Sequence, residues 1–290
     1  MAALAHIAWF FVLVAFLVRA LQGPVQSNFT AFQDINATET NILLLTAHPD
    51  DECMFFAPTL LGLRSLVQRS QKIGQFTGMP NLHSLCLSVG DADGLGNVRR
   101  EELSRSLDVL GITEDRRQVV DRPDLQDDIT SYWDKDVILQ VVEPYIIQHN
   151  ITLILTFDLH GISNHPNHKS LPHGALHLLS TFQQRHSVPP PRLFTLISHS
   201  IVDKYVGTLA PLLAKLDLLL GGAIQRYGLG PEPSPGLPVF VSGTREYFEA
   251  LRAMLQHKSQ LVWFRWLYVS FSRYMWVNEW MELLPQPEEV

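Results

Sequence analysis

The chain has 290 residues, of which 46% are hydrophobic and 18% are charged, and its formal net charge is -7. This length fits one large domain or two small ones, and the composition is that of a globular protein rather than a disordered chain. Nucleic-acid binding needs clustered lysine and arginine. The acidic balance, with no basic block, therefore argues against a nucleic-acid partner.

The N-terminal segment is apolar. Residues 2–18 are interrupted only by His6, and Arg19 follows them. A run of this length is at the short limit for a helix that spans a bilayer. A cleaved signal peptide is the alternative, but such a peptide carries positive charge before its apolar run, and none precedes this one. Because the first basic residue follows the run, the positive-inside rule predicts a retained single-pass anchor over residues 1–21 with a cytosolic body.

Two other features bear on the compartment. Asn-x-Ser/Thr tripeptides at Asn28, Asn36 and Asn150 would suit a lumenal body and oppose the cytosolic orientation. The two cysteines, Cys53 and Cys86, lie in apolar contexts, which favours reduced core residues in a reducing compartment. The predicted topology therefore depends mainly on one arginine, against three tripeptides.

After the anchor, residues 22–40 are polar and irregular and are predicted to be a linker to a single domain over residues 41–290. Short apolar runs that end in turn residues predict buried strands over residues 42–46, 82–89, 151–157 and 193–197, with a shorter one over 118–121. Helices are predicted over residues 53–68, 98–110, 131–149 and 168–182. Strands that alternate with helices predict an α/β fold, with a Rossmann-like, mostly parallel sheet and flanking helices.

The C-terminal segment over residues 261–281 is dense in aromatic residues and includes Arg265 and Arg273. Two interpretations stay open for it. It is either a terminal helix that packs in the core or a helix that lies in a membrane interface, where Trp, Tyr and Arg are favoured.

The strongest functional signal is the hexapeptide AHPDDE at residues 47–52, which directly follows the first predicted strand. Ligands of open parallel sheets bind beyond the carboxyl ends of the strands, so a functional site is expected here. Crowded carboxylates repel each other, and a divalent cation neutralises them. His48 and Asp51 can converge on one ion, and this pair suits Zn²⁺ or another divalent first-row metal. The alternative is that Asp50 and Asp51 only cap the following helix.

A second polar cluster, SNHPNH at residues 163–168, follows the strand predicted over residues 151–157. Its two histidines, His165 and His168, can supply one more ligand and one free imidazole. Three protein ligands with an open position indicate a catalytic rather than a structural metal. Asp158, at the end of the same strand, is expected either to orient a ligand histidine or to cap the strand.

These motifs resemble the LmbE-like, or PIG-L, family of zinc-dependent de-N-acetylases. The resemblance extends to RREEL at residues 99–103, DVLG at residues 108–111 and the segment over residues 257–275. The last segment is similar to the eukaryotic branch of the family, which acts on the glycolipid N-acetylglucosaminyl-phosphatidylinositol. The resemblance therefore implies the LmbE-like fold and an amide hydrolase of the endoplasmic reticulum membrane.

The resemblance also implies a role for each matching residue. The family's three metal ligands match His48, Asp51 and His168. Its general base matches Asp50, and the histidine that assists the developing oxyanion or the leaving amine matches His165.

Arg99 matches a substrate-contacting arginine of the family. Its planar donors suit sugar hydroxyls or a phosphate. The alternative is a solvated charge that opens a helix.

The chemistry supports the same assignment. An amide is a poor electrophile, and water is a poor nucleophile at neutral pH. A Zn²⁺ ion with an open position lowers the pKa of a bound water from about 15.7 towards about 7 and polarises the acetyl carbonyl. One of Asp50 and Asp51 is then free to take the proton of the water. The expected products are acetate and the glucosaminyl lipid.

The sequence is therefore compatible with three functions. The leading one is a membrane-anchored de-N-acetylase with the glycolipid and the membrane as partners, and no oligomeric state is predicted. The first alternative is the same chemistry on a soluble N-acetylglucosamine conjugate, which the apolar N-terminus and the aromatic segment disfavour. The second is a non-catalytic metal- or lipid-binding subunit of a membrane complex, which a complete set of ligand, base and oxyanion residues disfavours.

Overall fold

The structure, a computed structural model, describes residues 2–32, 40–72, 80–226 and 237–285. Its strands are β1 (Val25–Ser27), β2 (Thr40–Thr46), β3 (Pro80–Cys86), β4 (Arg117–Val119), β5 (Leu153–Phe157), β6 (Arg192–Leu196), β7 (Val239–Val241) and β8 (Val277–Glu282). Its helices are α1 (Ala2–Gln22), α2 (Asp51–Met54), α3 (Ala57–Lys72), α4 (Gly96–Leu110), α5 (Lys135–Gln148), α6 (Gly161–Asn164), α7 (Pro166–Arg185), α8 (Ile201–Lys204), α9 (Leu209–Arg226), α10 (Thr244–Met254) and α11 (Trp263–Phe271). The strands form one sheet in the order β1-β7-β8-β6-β5-β2-β3-β4.

One half of the sheet is parallel and runs from β6 through β5, β2 and β3 to β4. Its centre is β2, where Leu43, Leu44 and Leu45 are buried because helices cover both faces of the sheet. The carboxyl ends of these strands meet at one edge of the sheet. The loops after β2 and β5, which carry the two polar clusters, are therefore neighbours, since β2 pairs directly with β5.

The other half of the sheet is antiparallel. β8 runs antiparallel to β6 and β7, and β7 runs antiparallel to β1. The predicted α/β class with flanking helices is confirmed, but the sheet is mixed and the prediction of a mostly parallel sheet is wrong for this half. β1 and β7 have three residues each, too few for a hydrophobic period, and β8 lies within and just after the aromatic segment.

The aromatic segment divides into two parts. Residues 263–271 form α11, where Trp263 is 74% exposed, whereas Tyr274 and Trp280 are fully buried in the core. The part that packs in the core is therefore a short turn followed by β8 rather than a helix, and the interpretation of α11 as a helix in a membrane interface stays a prediction. Both cysteines are free and buried, which confirms the prediction of reduced core residues.

The N-terminal segment forms α1, and β1 lies within the stretch predicted as a linker. Part of that stretch, residues 33–39, lies outside the described residues, and the division into anchor, linker and domain stays a prediction. Among the helices of the described residues, none combines the length and the apolarity that a membrane span requires. The anchor predicted over residues 1–21 is therefore not confirmed.

Glu279 on β8 links the loop after β6 to the turn before β8. Its carboxylate lies 2.7 Å from Arg273 Nη2 and 2.8 Å from His199 Nε2. Burial by itself raises the pKa of this carboxyl, but the hydrogen bond to His199 and the charge of Arg273 lower the pKa to about 2. A carboxyl whose pKa is lower in the folded than in the unfolded chain stabilises the fold at neutral pH. That stabilisation is lost as the pH falls from about 4.5 towards about 2.

We therefore expect Glu279→Gln to reduce the free energy of unfolding by about 1–3 kcal/mol at pH 7, and by progressively less below pH 4.5. Urea unfolding across this pH range measures the effect. Glu101→Gln, which removes an exposed ion pair with Arg105, is the control. An equal loss at every pH would contradict the proposed role of the carboxylate charge.

Candidate active site

The loop after β2 is folded around the side chain of Asp51. Its Oδ2 accepts hydrogen bonds from the backbone N–H groups of Ala47, at 3.0 Å, and His48, at 2.9 Å. Asp50, immediately before α2, has a φ of 104°, in the left-handed region that non-glycine residues seldom adopt, and its side chain makes no capping hydrogen bond. Asp50 therefore does not cap α2, contrary to the alternative interpretation of the motif.

The loop after β5 is held by Asp158. Its carboxylate accepts hydrogen bonds from the backbone N–H of Gly161, at 3.0 Å, and of Ser198, at 2.8 Å. These contacts are those of a strand-end cap. They reach His168 indirectly, because the carbonyl of Gly161 accepts a hydrogen bond from His168 Nδ1 at 3.2 Å.

The two loops meet at the pair formed by Asp51 and His168, because Asp51 Oδ1 lies 3.2 Å from His168 Nε2. Both side chains are buried. In addition, His48, His165 and His168 place one ring nitrogen each within 4.8 Å of one another. The structure therefore brings His48, Asp51, His165 and His168 together, and Asp50 lines the same cavity.

The electrostatics of the pair couple the two loops. Burial raises the pKa of Asp51, but the charge and hydrogen bond of His168 outweigh burial and hold the pKa below its usual range. Burial lowers the pKa of His168, and Asp51 more than compensates, so that the pKa is raised. Phe157 stacks on the His168 ring, with 4.1 Å between centroids, and fixes the plane of the imidazole.

The contacts of each histidine indicate which nitrogen carries its proton. A carbonyl oxygen only accepts hydrogen bonds, so the contact with Gly161 requires a proton on Nδ1 of His168, and Nε2, which faces Asp51 Oδ1, is the nitrogen that a metal ion could bind after the ring gives up its second proton. His165 has the opposite arrangement. Its Nδ1 accepts a hydrogen bond from the backbone N–H of Asn167 at 3.2 Å, so the proton of the neutral ring lies on Nε2.

His48 is the third histidine of the cluster. Its Nε2 lies 3.0 Å from Asn167 Oδ1 and 3.3 Å from Asp127 Oδ1. Burial lowers the pKa of His48 to about 4 despite its acidic neighbours Asp51 and Asp127. The imidazole is therefore neutral at physiological pH, so a metal ion that bound to it would not have to compete with a second ring proton.

Asp50 is buried beside a cation from the C-terminal segment. Arg265 Nη2, on α11, lies 2.7 Å from Asp50 Oδ2. Burial raises the pKa of Asp50, and the charge of Arg265 opposes but does not cancel this effect. Glu52 accepts a hydrogen bond from the backbone N–H of Asp50 at 3.0 Å. It also forms a buried ion pair with His257 at 2.7 Å.

Arg99 lies in the wall of the same site, where it connects loops of the protein. Its two terminal nitrogens donate to the carbonyls of Gly90, at 2.7 Å, and Pro49, at 3.1 Å, and to the side chains of Asp127 and Gln260. Gly90 has a φ of 70°, and a Cβ there would lie 2.4 Å from this guanidinium, so a larger residue would strain the backbone and displace the side chain of Arg99. A contact of Arg99 with substrate stays a prediction, since these donors already have partners within the protein.

Four other residues contribute to the site although no role was predicted for them from the sequence: Asp127, Arg265, Glu52 and His257. Asp127 follows β4 at the same edge of the sheet, so the rule about carboxyl ends of strands could have identified it. Arg265 lies in the aromatic segment, where its sequence context does not indicate a contact with Asp50. Glu52 and His257 lie within the motifs, but their pairing joins residues 205 positions apart, and no local pattern reveals it.

The site opens into a cavity of about 950 Å³. One wall carries the polar cluster, including His48, Asp51 and His168. Another wall is apolar and is built by residues that include Phe264, Leu267, Tyr268 and Phe271. The cavity is large enough for a sugar and part of an attached group.

The donor set fits a divalent metal ion. Two neutral imidazoles and one carboxylate are a common catalytic set for Zn²⁺, and here His48 and His168 belong to the histidine cluster in the wall of the cavity, with Asp51 Oδ1 3.2 Å from His168 Nε2. The buried negative charge of Asp51 also favours a cation. The fold and the site together are those of a metal-dependent hydrolase.

Comparison with known proteins specifies the family. Residues 43–179 match the family model PIG-L, described as GlcNAc-PI de-N-acetylase. The chain is 38% identical over 237 residues, 81% of each chain, to the N-acetylglucosaminyl-phosphatidylinositol de-N-acetylase of Bos taurus. It is 33% identical to the Saccharomyces cerevisiae protein of the same name, over 82% of this chain and 80% of that protein. The chain belongs to the PIG-L family, as its motifs predicted.

The fold is also found in a solved structure. The N,N'-diacetylchitobiose deacetylase of Pyrococcus horikoshii aligns with a TM-score of 0.54 at 13% identity and covers 85% of this chain and 84% of that chain. At this identity the alignment shows a common fold, which confirms the predicted LmbE-like architecture.

Metal binding by the two predicted histidine ligands, His48 and His168, can be distinguished from metal binding by His165. We expect His48→Ala and His168→Ala to weaken Zn²⁺ binding by more than about 100-fold, because each removes a ligand rather than a supporting partner. His165→Ala should change affinity by less than about 10-fold. Equilibrium dialysis with a competing chelator measures these affinities, with His173→Ala as the control. Equal losses for His165→Ala and His168→Ala would contradict the assignment.

Proposed function

We propose that the protein hydrolyses the N-acetyl group of N-acetylglucosaminyl-phosphatidylinositol to give glucosaminyl-phosphatidylinositol and acetate, the second step of glycosylphosphatidylinositol anchor synthesis. The observation that carries the proposal is the meeting of the two strand-end loops at Asp51 and His168 beside the buried carboxyl of Asp50. Relatives that cover four fifths of the chain and have this name support the choice of substrate.

His48, Asp51 and His168 are the residues that would hold the metal, and Zn²⁺ is the ion that their donor types favour. A bound divalent ion would supply a Lewis acid for the acetyl carbonyl and would lower the pKa of a water molecule. The chain itself supplies the geometry: Asp51 uses Oδ2 to hold its own loop and keeps Oδ1 towards His168.

Asp50 acts as the general base. Its burial raises the pKa of the carboxyl, which makes the carboxylate a stronger base, and the charge of Arg265 favours the ionised form that accepts the proton. The backbone at Asp50 is left-handed and its side chain makes no capping hydrogen bond to α2, and the hydrogen bond that its backbone N–H donates to Glu52 stabilises this conformation. The protonated carboxyl can then return the proton to the leaving amine.

His165 stabilises the oxyanion that develops on the acetyl group. The bond from the Asn167 N–H to Nδ1 leaves an N–H on Nε2, so the ring is a fixed donor. Burial and the neighbouring His168 lower the pKa of His165, so the ring is neutral and adds no net charge to the site in its resting state. Arg99, in the wall of the cavity, holds the surrounding loops and is the proposed contact for the sugar or the phosphate.

The same proposal places the protein on the endoplasmic reticulum membrane, as a single-pass protein with residues 1–21 as the anchor and the catalytic domain in the cytosol. The apolar sequence of α1 and the arginine that follows it support this orientation. A lipid substrate also accounts for the large exposed aromatic side chains of α11 at the cavity. A soluble N-acetylglucosamine conjugate would need no such wall.

We expect Asp50→Asn to lower the rate of acetate release from the glycolipid by about 10²–10⁴-fold, because the general base is lost. Zn²⁺ affinity should change little, since Asp50 is not among the proposed ligands. Radiolabelled acetate release from detergent-solubilised glycolipid gives the rate, and Asp121→Asn, at an exposed carboxylate, is the matched control.

Two results would contradict this proposal. A wild-type rate for Asp50→Asn would remove its role as base. A rate on a water-soluble N-acetylglucosamine conjugate that equals the rate on the glycolipid would favour the soluble substrate instead.

A further inference from the structure

Helix α9 exposes an apolar stripe to solvent. Leu209, Leu213, Leu216, Leu220 and Ile224 recur every three or four residues, so they lie on one face of the helix, and each is 46–57% exposed. The apolar face of a surface helix normally packs on the core. Here it faces outward, which indicates a surface that is covered in the functional state.

Helices α8 and α11 expose apolar side chains beside each other. On α11, Trp263 and Trp266 are exposed, and on α8 Ile201 and Val202 are about three quarters exposed. The chain between α8 and α9 is bonded to the end of α11, because the N–H of Gly207 donates to the carbonyl of Phe271 at 2.7 Å. The three apolar helices are therefore joined in one region of the molecule.

The N-terminal helix ends in this same region. Lys215 on α9 donates from Nζ to the carbonyls of Ala20 and Gly23, both at 2.6 Å. This contact fixes the end of α1 against α9. An anchor that leaves the bilayer at residue 21 would therefore bring α9 next to the membrane surface.

We infer that α8, α9 and α11 form a docking surface for a phospholipid bilayer, and that the active-site cavity opens within this surface. The inference rests on the proposed function and names the surface through which the lipid reaches the site. The apolar faces would lie among the headgroups and the upper acyl chains, where Trp, Tyr and Arg side chains are favoured.

The continuity between this surface and the cavity selects the bilayer as the occupant. Phe264, Leu267 and Phe271 are exposed on α11 and also line the cavity that contains the catalytic cluster. The same helix carries Arg265, which reaches Asp50. A glycolipid could therefore place its sugar in the cavity while its acyl chains stay in the bilayer.

A second copy of the chain fits the surface less well. A protein partner on α11 would cover the mouth of the cavity, through which the substrate enters. A fluid bilayer covers the apolar helices and at the same time delivers the substrate.

Trp263 provides a direct test because its side chain is exposed on α11 and does not line the cavity. The full chain and its Trp263→Phe variant are reconstituted into phosphatidylcholine vesicles with and without brominated acyl chains. The difference between the two proteins isolates the fluorescence of Trp263 from that of the other tryptophans, including Trp9 on α1. We expect the brominated lipid to quench this difference signal and aqueous iodide to leave it nearly unchanged.

Quenching by iodide and not by brominated lipid would overturn the inference, since α11 would then face water. Quenching by neither would also overturn it, because another polypeptide would cover the helix. Both readouts are independent of catalysis, so they test the docking surface even if the proposed reaction is absent.

Activity gives a second test. The double variant Leu213→Gln with Leu220→Gln changes two apolar side chains of α9 to a good helix former. We expect it to lower the rate on vesicle-borne glycolipid by about 10-fold, through the loss of buried apolar area, and to change the rate on a dispersed short-chain analogue by less than about 2-fold. Equal losses on both substrates would contradict the docking role.

The matched control is Ile147→Gln with Val188→Gln. Both residues are exposed and apolar, and they precede β5 and β6, at the edge of the sheet opposite the site. This variant should be as active as the wild type on both substrates. If the wild type hydrolyses neither substrate, the proposed function fails, whereas the quenching result still decides the docking surface.

Discussion

The carboxylate of Asp51 is the constraint on which the site depends. One oxygen accepts two backbone N–H groups of its own loop, and the other faces the imidazole of His168 on a different loop. A buried carboxylate is costly unless it is paired and hydrogen-bonded, so this residue enforces the geometry of both loops at once. The pairing of β2 with β5 brings the loops together, and Asp51 closes the remaining gap.

Around Asp51, contacts with the surrounding protein give chemically similar side chains different protonation. His165 and His168 lie three residues apart at the start of one helix, yet the Gly161 carbonyl puts a proton on Nδ1 of one ring and the Asn167 N–H excludes it from Nδ1 of the other. One ring can therefore offer Nε2 to a metal ion, and the other presents an N–H at Nε2. Asp50 and Asp51 are likewise neighbours with opposite pKa shifts, because Asp50 is mainly desolvated whereas Asp51 is paired.

The sequence was informative wherever function is encoded by local spacing. AHPDDE and HPNH each fit a single strand-end loop, and the continuous apolar runs identified the strands that carry them. The contributions from distant segments could not be predicted in this way. Arg265 reaches Asp50 across more than 200 positions, and its role depends on how α11 packs after the core has formed. The strand β8 could not be predicted, because it lies largely within the same aromatic segment as the neighbouring helix α11.

A bound metal ion would show directly whether the two loops close around one site. Crystals grown with Zn²⁺ should show an anomalous difference peak about 2.0–2.2 Å from ring nitrogens of His48 and His168 and from an oxygen of Asp51, with His165 outside the coordination sphere. A peak bonded to His165 but not to His168, or a zinc ion that leaves Asp51 unbound, would contradict the central claim that these two loops close around one metal ion.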